Sequence, residues 1–123
     1  MKGRKIFVLL LCIAVAFVVV GCGEKIPEGF TEDEYEKCQK VIDAIDGYLD
    51  AEIAGEDAVE KLDVLSGQLE ISDNYKVAHI GNQASHASRY INRIVLGFYN
   101  TDKADLQKIK DARDEIIKTL KEE

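Results

Sequence analysis

Two histidines in the third predicted helical segment are the side chains of this sequence best suited to acid–base or metal chemistry. His79 and His86 are seven residues apart, which puts them on one helix face about 10.5 Å apart along the axis. A zinc pair on one helix needs a spacing of four residues, so these two histidines do not predict a metal site. Their face also carries Gln83, Tyr90 and Arg93. It is either a partly solvated polar stripe or a surface for a ligand or partner.

Cys38 is the other residue with chemical potential. A nucleophilic cysteine needs exposure and a neighbouring base, whereas Cys38 follows the apolar spacing of a predicted helix and has the placement of a small core residue. The sequence contains no glycine-rich phosphate loop, nucleophile elbow, cysteine pair or His-Glu-x-x-His motif. We therefore expect no enzymatic activity, no bound metal and no cofactor.

The first 22 residues have the pattern of a secretory signal. A basic start is followed by 15 apolar residues from Ile6 to Val20, fewer than the roughly 20 that a membrane-spanning helix needs. The basic residues of the start are Lys2, Arg4 and Lys5. The apolar run closes with Val19-Val20-Gly21-Cys22, which resembles the lipobox of bacterial lipoproteins.

This resemblance covers residues 1–22 only. It implies that a signal peptide of residues 1–21 is removed and that Cys22 receives a diacylglycerol, which anchors the chain to a membrane. Gly23 is not the aspartate that retains such proteins in the inner membrane of Gram-negative bacteria. The implied location is the extracytoplasmic face, on the outer leaflet of a Gram-positive membrane or in a Gram-negative periplasm. The alternative is an uncleaved anchor helix in which Cys22 is an ordinary cysteine.

The sequence after the signal predicts a short tether and one helical domain. Residues 22–30 form the tether, which as flexible coil reaches roughly 15–20 Å. Residues 31–123 repeat apolar side chains every three or four positions and show no sustained alternation, so we expect helices and no strands. Thr31 and Glu34 predict a capping box at the first helix, and Gly55 predicts its end. Four segments joined by short loops predict an all-α, up-down-up-down four-helix bundle; the alternative is a three-helix bundle with an extra packed helix.

The third segment, from about residue 75 to residue 99, has the most regular apolar pattern. Ala84 and Ala87 lie on its stripe, and we predict that both are buried. Small residues make the segment slim between Gly81 and Ser88. That slimness predicts either the close approach of a neighbouring helix or one wall of a ligand pocket.

The charge balance excludes one class of function. The chain has 16 Lys+Arg and 23 Asp+Glu. Removing the three basic residues of the signal leaves 13 against 23, a formal charge of −10. A nucleic-acid-binding protein needs a basic face, so we exclude that partner. The acidic side chains of the first two segments match no calcium-binding loop, and we interpret them as a solvated face.

Together these features predict a small membrane-anchored lipoprotein whose domain is a non-enzymatic interaction or accessory module. Near the end of the third segment, apolar residues cover more than one helix face. We therefore predict that Leu96 or Tyr99 is exposed and belongs to a contact patch for a protein partner or a second copy. The alternative function is binding of a small ligand between helices near Gly81–Ser88.

Overall fold

Four antiparallel helices form the fold, as the sequence predicts. The structure is a computed structural model, and it describes residues 26–97 and 101–121. Helix α1 spans Glu32–Leu49, α2 spans Gly55–Glu70, α3 spans Tyr75–Leu96 and α4 spans Asp102–Lys121. The described residues contain no strand. Short connections make consecutive helices neighbours in an up-down-up-down bundle. The signal segment and Cys22 lie outside the described residues.

The core runs along the inner faces of all four helices. The most extensive helix contact is that of α2 with α3, followed by α3 with α4 and then α1 with α2. Helix α3 is thus the central element, and its Ala84 and Ala87 are fully buried, which confirms that prediction. The largest fully buried aliphatic side chains are Val41, Ile45, Leu62, Leu69, Val77, Ile80, Ile91, Ile109 and Ile116.

The start of α1 is fixed by the predicted capping box. The Thr31 hydroxyl accepts a hydrogen bond from the Glu34 amide, and the Glu34 carboxylate accepts one from the Thr31 amide, both at 3.0 Å. The other Glu34 oxygen accepts a 2.7 Å hydrogen bond from Ser72, in the turn between α2 and α3. The Glu34 carboxylate therefore caps α1 and also links it to the turn between α2 and α3.

The expected end of α1 at Gly55 is wrong. The helix ends at Leu49, and Gly55 is instead the first residue of α2. The chain reverses through Ala51, whose φ of 61° is a left-handed conformation that costs a non-glycine residue roughly 1–2 kcal/mol. Glycine is needed at position 55 for a different reason: a Cβ there would lie 2.4 Å from Cγ2 of Val95 on α3. Gly55 thus marks a close helix approach and not a helix stop.

Helix α3 also ends earlier than the predicted Tyr99. It stops at Leu96, because Gly97 follows in the left-handed conformation with φ 70° and its amide donates to the carbonyl of Arg93. At the other end of α3, Asn74 supplies the cap by accepting hydrogen bonds from the amides of Lys76 and Val77.

Helix α4 closes the bundle against α1. The Arg113 guanidinium binds both carboxylate oxygens of Asp46 on α1, with Nη2 3.3 Å from Oδ2. This hydrogen bonding to Asp46 raises the pKa of Arg113 above its ordinary value. Arg113 interrupts the apolar pattern of α4, and the structure explains why: its side chain ties the first helix to the last.

Glu34 offers a pH-dependent test of the cap. We expect Glu34→Ala to lower the free energy of unfolding by about 1 kcal/mol at neutral pH, because two accepted hydrogen bonds are lost. Hydrogen bonds from the Thr31 amide and then from Ser72 hold the pKa of Glu34 below its usual 4.5. The stabilisation is therefore present above that value and is lost as pH falls through the lower pKa of the folded state.

Urea denaturation at neutral pH and at about pH 3 measures the cost of Glu34→Ala and its loss in acid. The exposed Glu36, in the same helix, provides the control Glu36→Ala. A cost of Glu34→Ala that is the same at both pH values, or is matched by the control, would contradict the cap.

The close backbone approach of α2 to α3 can be tested with two glycines. A Cβ at Gly81 would lie 2.8 Å from the backbone nitrogen of Glu70 and 2.9 Å from Cβ of Leu69, whereas a Cβ at Gly67 would meet nothing within 4 Å. We expect Gly81→Ala to lower the free energy of unfolding by about 1–3 kcal/mol, because backbone atoms must move apart. Gly67→Ala should raise it by about 0.5–1 kcal/mol, because alanine favours the helix. A Gly81→Ala variant as stable as Gly67→Ala, measured by urea denaturation, would show that α2 and α3 are not in close contact here.

Candidate functional site

The predicted polar face of α3 packs against α4. Nε2 of His79 lies 3.0 Å from Oε2 of Glu115, near the end of α4. Arg93, four turns further along α3, binds Asp105 in the first turn of α4. Gln83, His86 and Tyr90 lie between these two residues on the stripe and are half-buried. Both ends of this stripe are therefore engaged within the fold, and a binding role for its half-buried middle stays a prediction.

The Arg93 end of this face is a small charged cluster. Nε of Arg93 lies 3.3 and 3.2 Å from the two carboxylate oxygens of Asp105, which is only 4% exposed. Thr101 accepts a hydrogen bond from Nη2 of Arg93 and donates one to Asp105. A buried carboxylate needs such partners. Arg93 therefore has a structural role, which joins the end of α3 to the start of α4.

The slim segment of α3 is covered by α2. Gly81, Ala84, Ala87 and Ser88 are all buried. The Ser88 hydroxyl donates a 2.5 Å hydrogen bond to Asp63 of α2. With the α2 backbone against Gly81, the small side chains serve the close approach of two helices, which is one of the two predicted interpretations.

Cys38 lies in the core with no exposed surface. Burial, and secondarily the charge of Glu34, raises the pKa of its thiol to about 12. The nucleophilic form of cysteine is the thiolate, so this environment suppresses the reactivity of Cys38. Residues 26–97 and 101–121 contain no group of three or more His, Cys, Asp or Glu side chains placed to hold a metal ion. Nor does any helix in these ranges have the length and apolar character needed to cross a bilayer.

A groove between α1 and α2 is a surface feature that the sequence does not predict. It has a volume of about 790 Å³. Its floor is apolar and includes Val64, which is 56% exposed, and Leu65. The connection after α1 closes one end, where Ile53 packs over Gly47 and its amide donates to the Gly47 carbonyl. The groove has the dimensions and the apolar floor of a binding site for one or a few side chains of a partner.

The rim of this groove is acidic. Two residues of α1, three of α2 and one of the connection supply its charge: Lys40, Asp43, Glu52, Asp57, Glu60 and Lys61. Four acids against two bases give the rim a net formal charge of −2. The sequence carries one signal for this groove, which is that Val64 lies beside the buried stripe of α2 and not on it.

A second apolar surface lies at the far end of α3. Leu96 is 48% exposed and Val95 is 39% exposed. The exposure of Leu96 agrees with the sequence, whereas Tyr99 lies outside the described residues. A contact made by this surface stays a prediction.

Substitution with glutamate distinguishes the exposed end of α3 from its core. We expect Leu96→Glu to cost less than about 1 kcal/mol, mostly from placing a negative charge at a helix C-terminus. Ile91→Glu, in the same helix, should cost several kcal/mol because Ile91 is fully buried. Thermal unfolding followed by circular dichroism measures both. An unfolded Leu96→Glu variant would show that Leu96 is covered.

Comparisons of the chain with protein-family models, with characterised proteins and with solved structures find no match. We therefore infer its function from the surfaces described above and from the N-terminal pattern.

Proposed function

We propose that this protein is a bacterial lipoprotein, anchored through a lipid on Cys22, whose helical bundle is a non-enzymatic interaction module on the extracytoplasmic face. The lipobox-like Val19-Val20-Gly21-Cys22 supports the anchor. The inert position of Cys38 and the internal use of His79 and Arg93 support a role in binding and not in catalysis. The setting is the outer leaflet of a Gram-positive membrane or a Gram-negative periplasm.

The groove between α1 and α2 is the observation that carries this function. Val64 exposes more than half of its surface there, and a solvent-exposed apolar floor is typical of a binding site. The acidic rim selects against an acidic partner or a second identical groove, because like charges across an interface are unfavourable. A basic amphipathic segment of a protein partner fits both properties, with apolar side chains on the floor and Lys or Arg on the rim.

The anchor is tested by replacing the proposed lipidation site. We expect Cys22→Ser either to release the domain from the membrane fraction or to leave an uncleaved precursor of higher mass, because the lipid can no longer be attached. Cell fractionation and immunoblotting measure both. Cys38→Ser is the matched control, since Cys38 is buried and carries no lipid. Retention and mass of Cys22→Ser identical to those of the wild type would refute the lipoprotein proposal.

The groove is tested with two synthetic peptides of equal length and apolar spacing, one with lysine and one with glutamate on its polar face. We expect only the lysine peptide to bind, and fluorescence anisotropy measures its Kd. The double variant Asp43→Lys/Glu60→Lys reverses charge on both sides of the groove and should weaken binding at least about tenfold. Asp111→Lys/Asp114→Lys makes the same charge change on exposed residues of α4, outside the groove, and is the control.

Three results bear on the groove. Weaker binding with the α1–α2 double variant alone supports the proposed site. Equal weakening with both double variants means that the peptide responds only to total charge and contradicts the groove. Equal binding of the glutamate peptide contradicts the acidic rim as the selective feature.

A further inference from the structure

The end of the bundle at which the chain enters carries the two most exposed large apolar side chains of the described residues. Ile71, at the C-terminus of α2, is 82% exposed, and Tyr75, the first residue of α3, is 77% exposed. Ile71 is the first residue of the four-residue connection between the two helices, and Tyr75 follows its last residue. Such extensive exposure leaves most of the apolar surface of Ile71 in water, which suggests that another surface covers it.

The chain leaves the bundle beside this connection on its way to Cys22. Phe30 is buried, and Ser72 donates a hydrogen bond to Glu34 in the first turn of α1. Gly29 approaches the connection so closely that a Cβ on it would lie 2.6 Å from Nδ2 of Asn74. Gly29 and Phe30 therefore lie against the Ile71–Tyr75 turn.

The distance from this point to the proposed lipid is short. Gly29 lies seven positions after Cys22. This length of chain spans at most about 25 Å when fully extended. A lipid on Cys22 thus keeps the Ile71–Tyr75 end of the bundle within about 25 Å of the bilayer, at a high effective concentration.

We propose that Ile71 and Tyr75 insert into the headgroup region of the bilayer that holds the lipid of Cys22. This inference rests on the proposed anchor. Tyrosine is enriched at membrane interfaces because its ring is apolar and its hydroxyl stays hydrated, and isoleucine adds apolar burial. The neighbouring Glu70 and Asp73 are exposed acids, so the contact depends on apolar insertion and not on attraction to anionic lipid.

The contact orients the bundle on the membrane. Helix α3 has 22 residues and is about 33 Å long. With its first residue at the headgroups, its last residue, Leu96, lies at the end that faces away from the membrane. In this orientation the groove between α1 and α2 opens at the side of the bundle, between its membrane end and its far end. A soluble or membrane-bound partner can reach it there.

A single tryptophan reports on the contact, because the chain contains none. The full chain carrying Tyr75→Trp is extracted from membranes and reconstituted in phosphatidylcholine vesicles with brominated acyl chains. We expect the emission of Trp at position 75 to shift to the blue and to lose roughly half of its intensity relative to unbrominated vesicles. The control is Val64→Trp, which places the reporter in the groove, at an exposed site in the middle of α2, and should show neither change. Adding Ile71→Asp to the Tyr75→Trp chain should remove most of the quenching.

Each other outcome overturns the proposal in a distinguishable way. An anchored chain whose Trp at position 75 is not quenched refutes the membrane contact and leaves the anchor intact. A blue shift without quenching means that a second copy covers the site, which also refutes the contact. A chain that is recovered in the soluble fraction refutes the anchor and this inference together.

Discussion

The contact of α2 with α3 at Gly81 is the constraint on which the rest of the bundle depends. Because position 81 has no Cβ, the α2 backbone at Glu70 can lie against α3, and the small residues that follow continue this contact to Ser88 and Asp63. Helix α1 packs on α2 less extensively than α3 does. Helix α1 is instead held at its ends, by Glu34 to the α2–α3 turn and by Asp46 to α4. The groove between α1 and α2 follows from that arrangement.

Charge is divided between the two halves of the bundle. Helix α1 has six acids and two bases, and α2 has five acids and one base, so each has a net charge of −4. Helix α3 has no acid and three bases, whereas α4 has five acids and six bases, giving +3 and +1. The Arg93–Asp105 pair neutralises charge between α3 and α4, and His79 contacts Glu115. Most acids that border the groove belong to the surplus of α1 and α2, which is why we propose a basic partner.

The sequence predicts the helices and their inner faces well, because apolar spacing and capping are local properties. The capping box at Thr31 and Glu34 and the burial of Ala84 and Ala87 are confirmed. The sequence misplaces the end of α1, since Gly55 serves a contact with Val95 that is distant in the chain. The polar face of α3 is a similar case, because its composition resembles that of a binding site. In the folded structure, acids of α4 contact His79 and Arg93 at its two ends. The groove depends on how far apart two helices pack, which no local pattern encodes.

The proposed anchor would give these surfaces a common direction. The chain enters the bundle beside Ile71 and Tyr75, so in the proposed orientation that end faces the bilayer, while the groove and Leu96 stay accessible to a partner. The most direct test is the intact mass of the native protein after detergent extraction from membranes. A lipoprotein has a chain that begins at Cys22 and carries the added mass of a diacylglycerol. A chain that begins at Met1, or one with an unmodified Cys22 thiol, would contradict the proposed anchor and the orientation that depends on it.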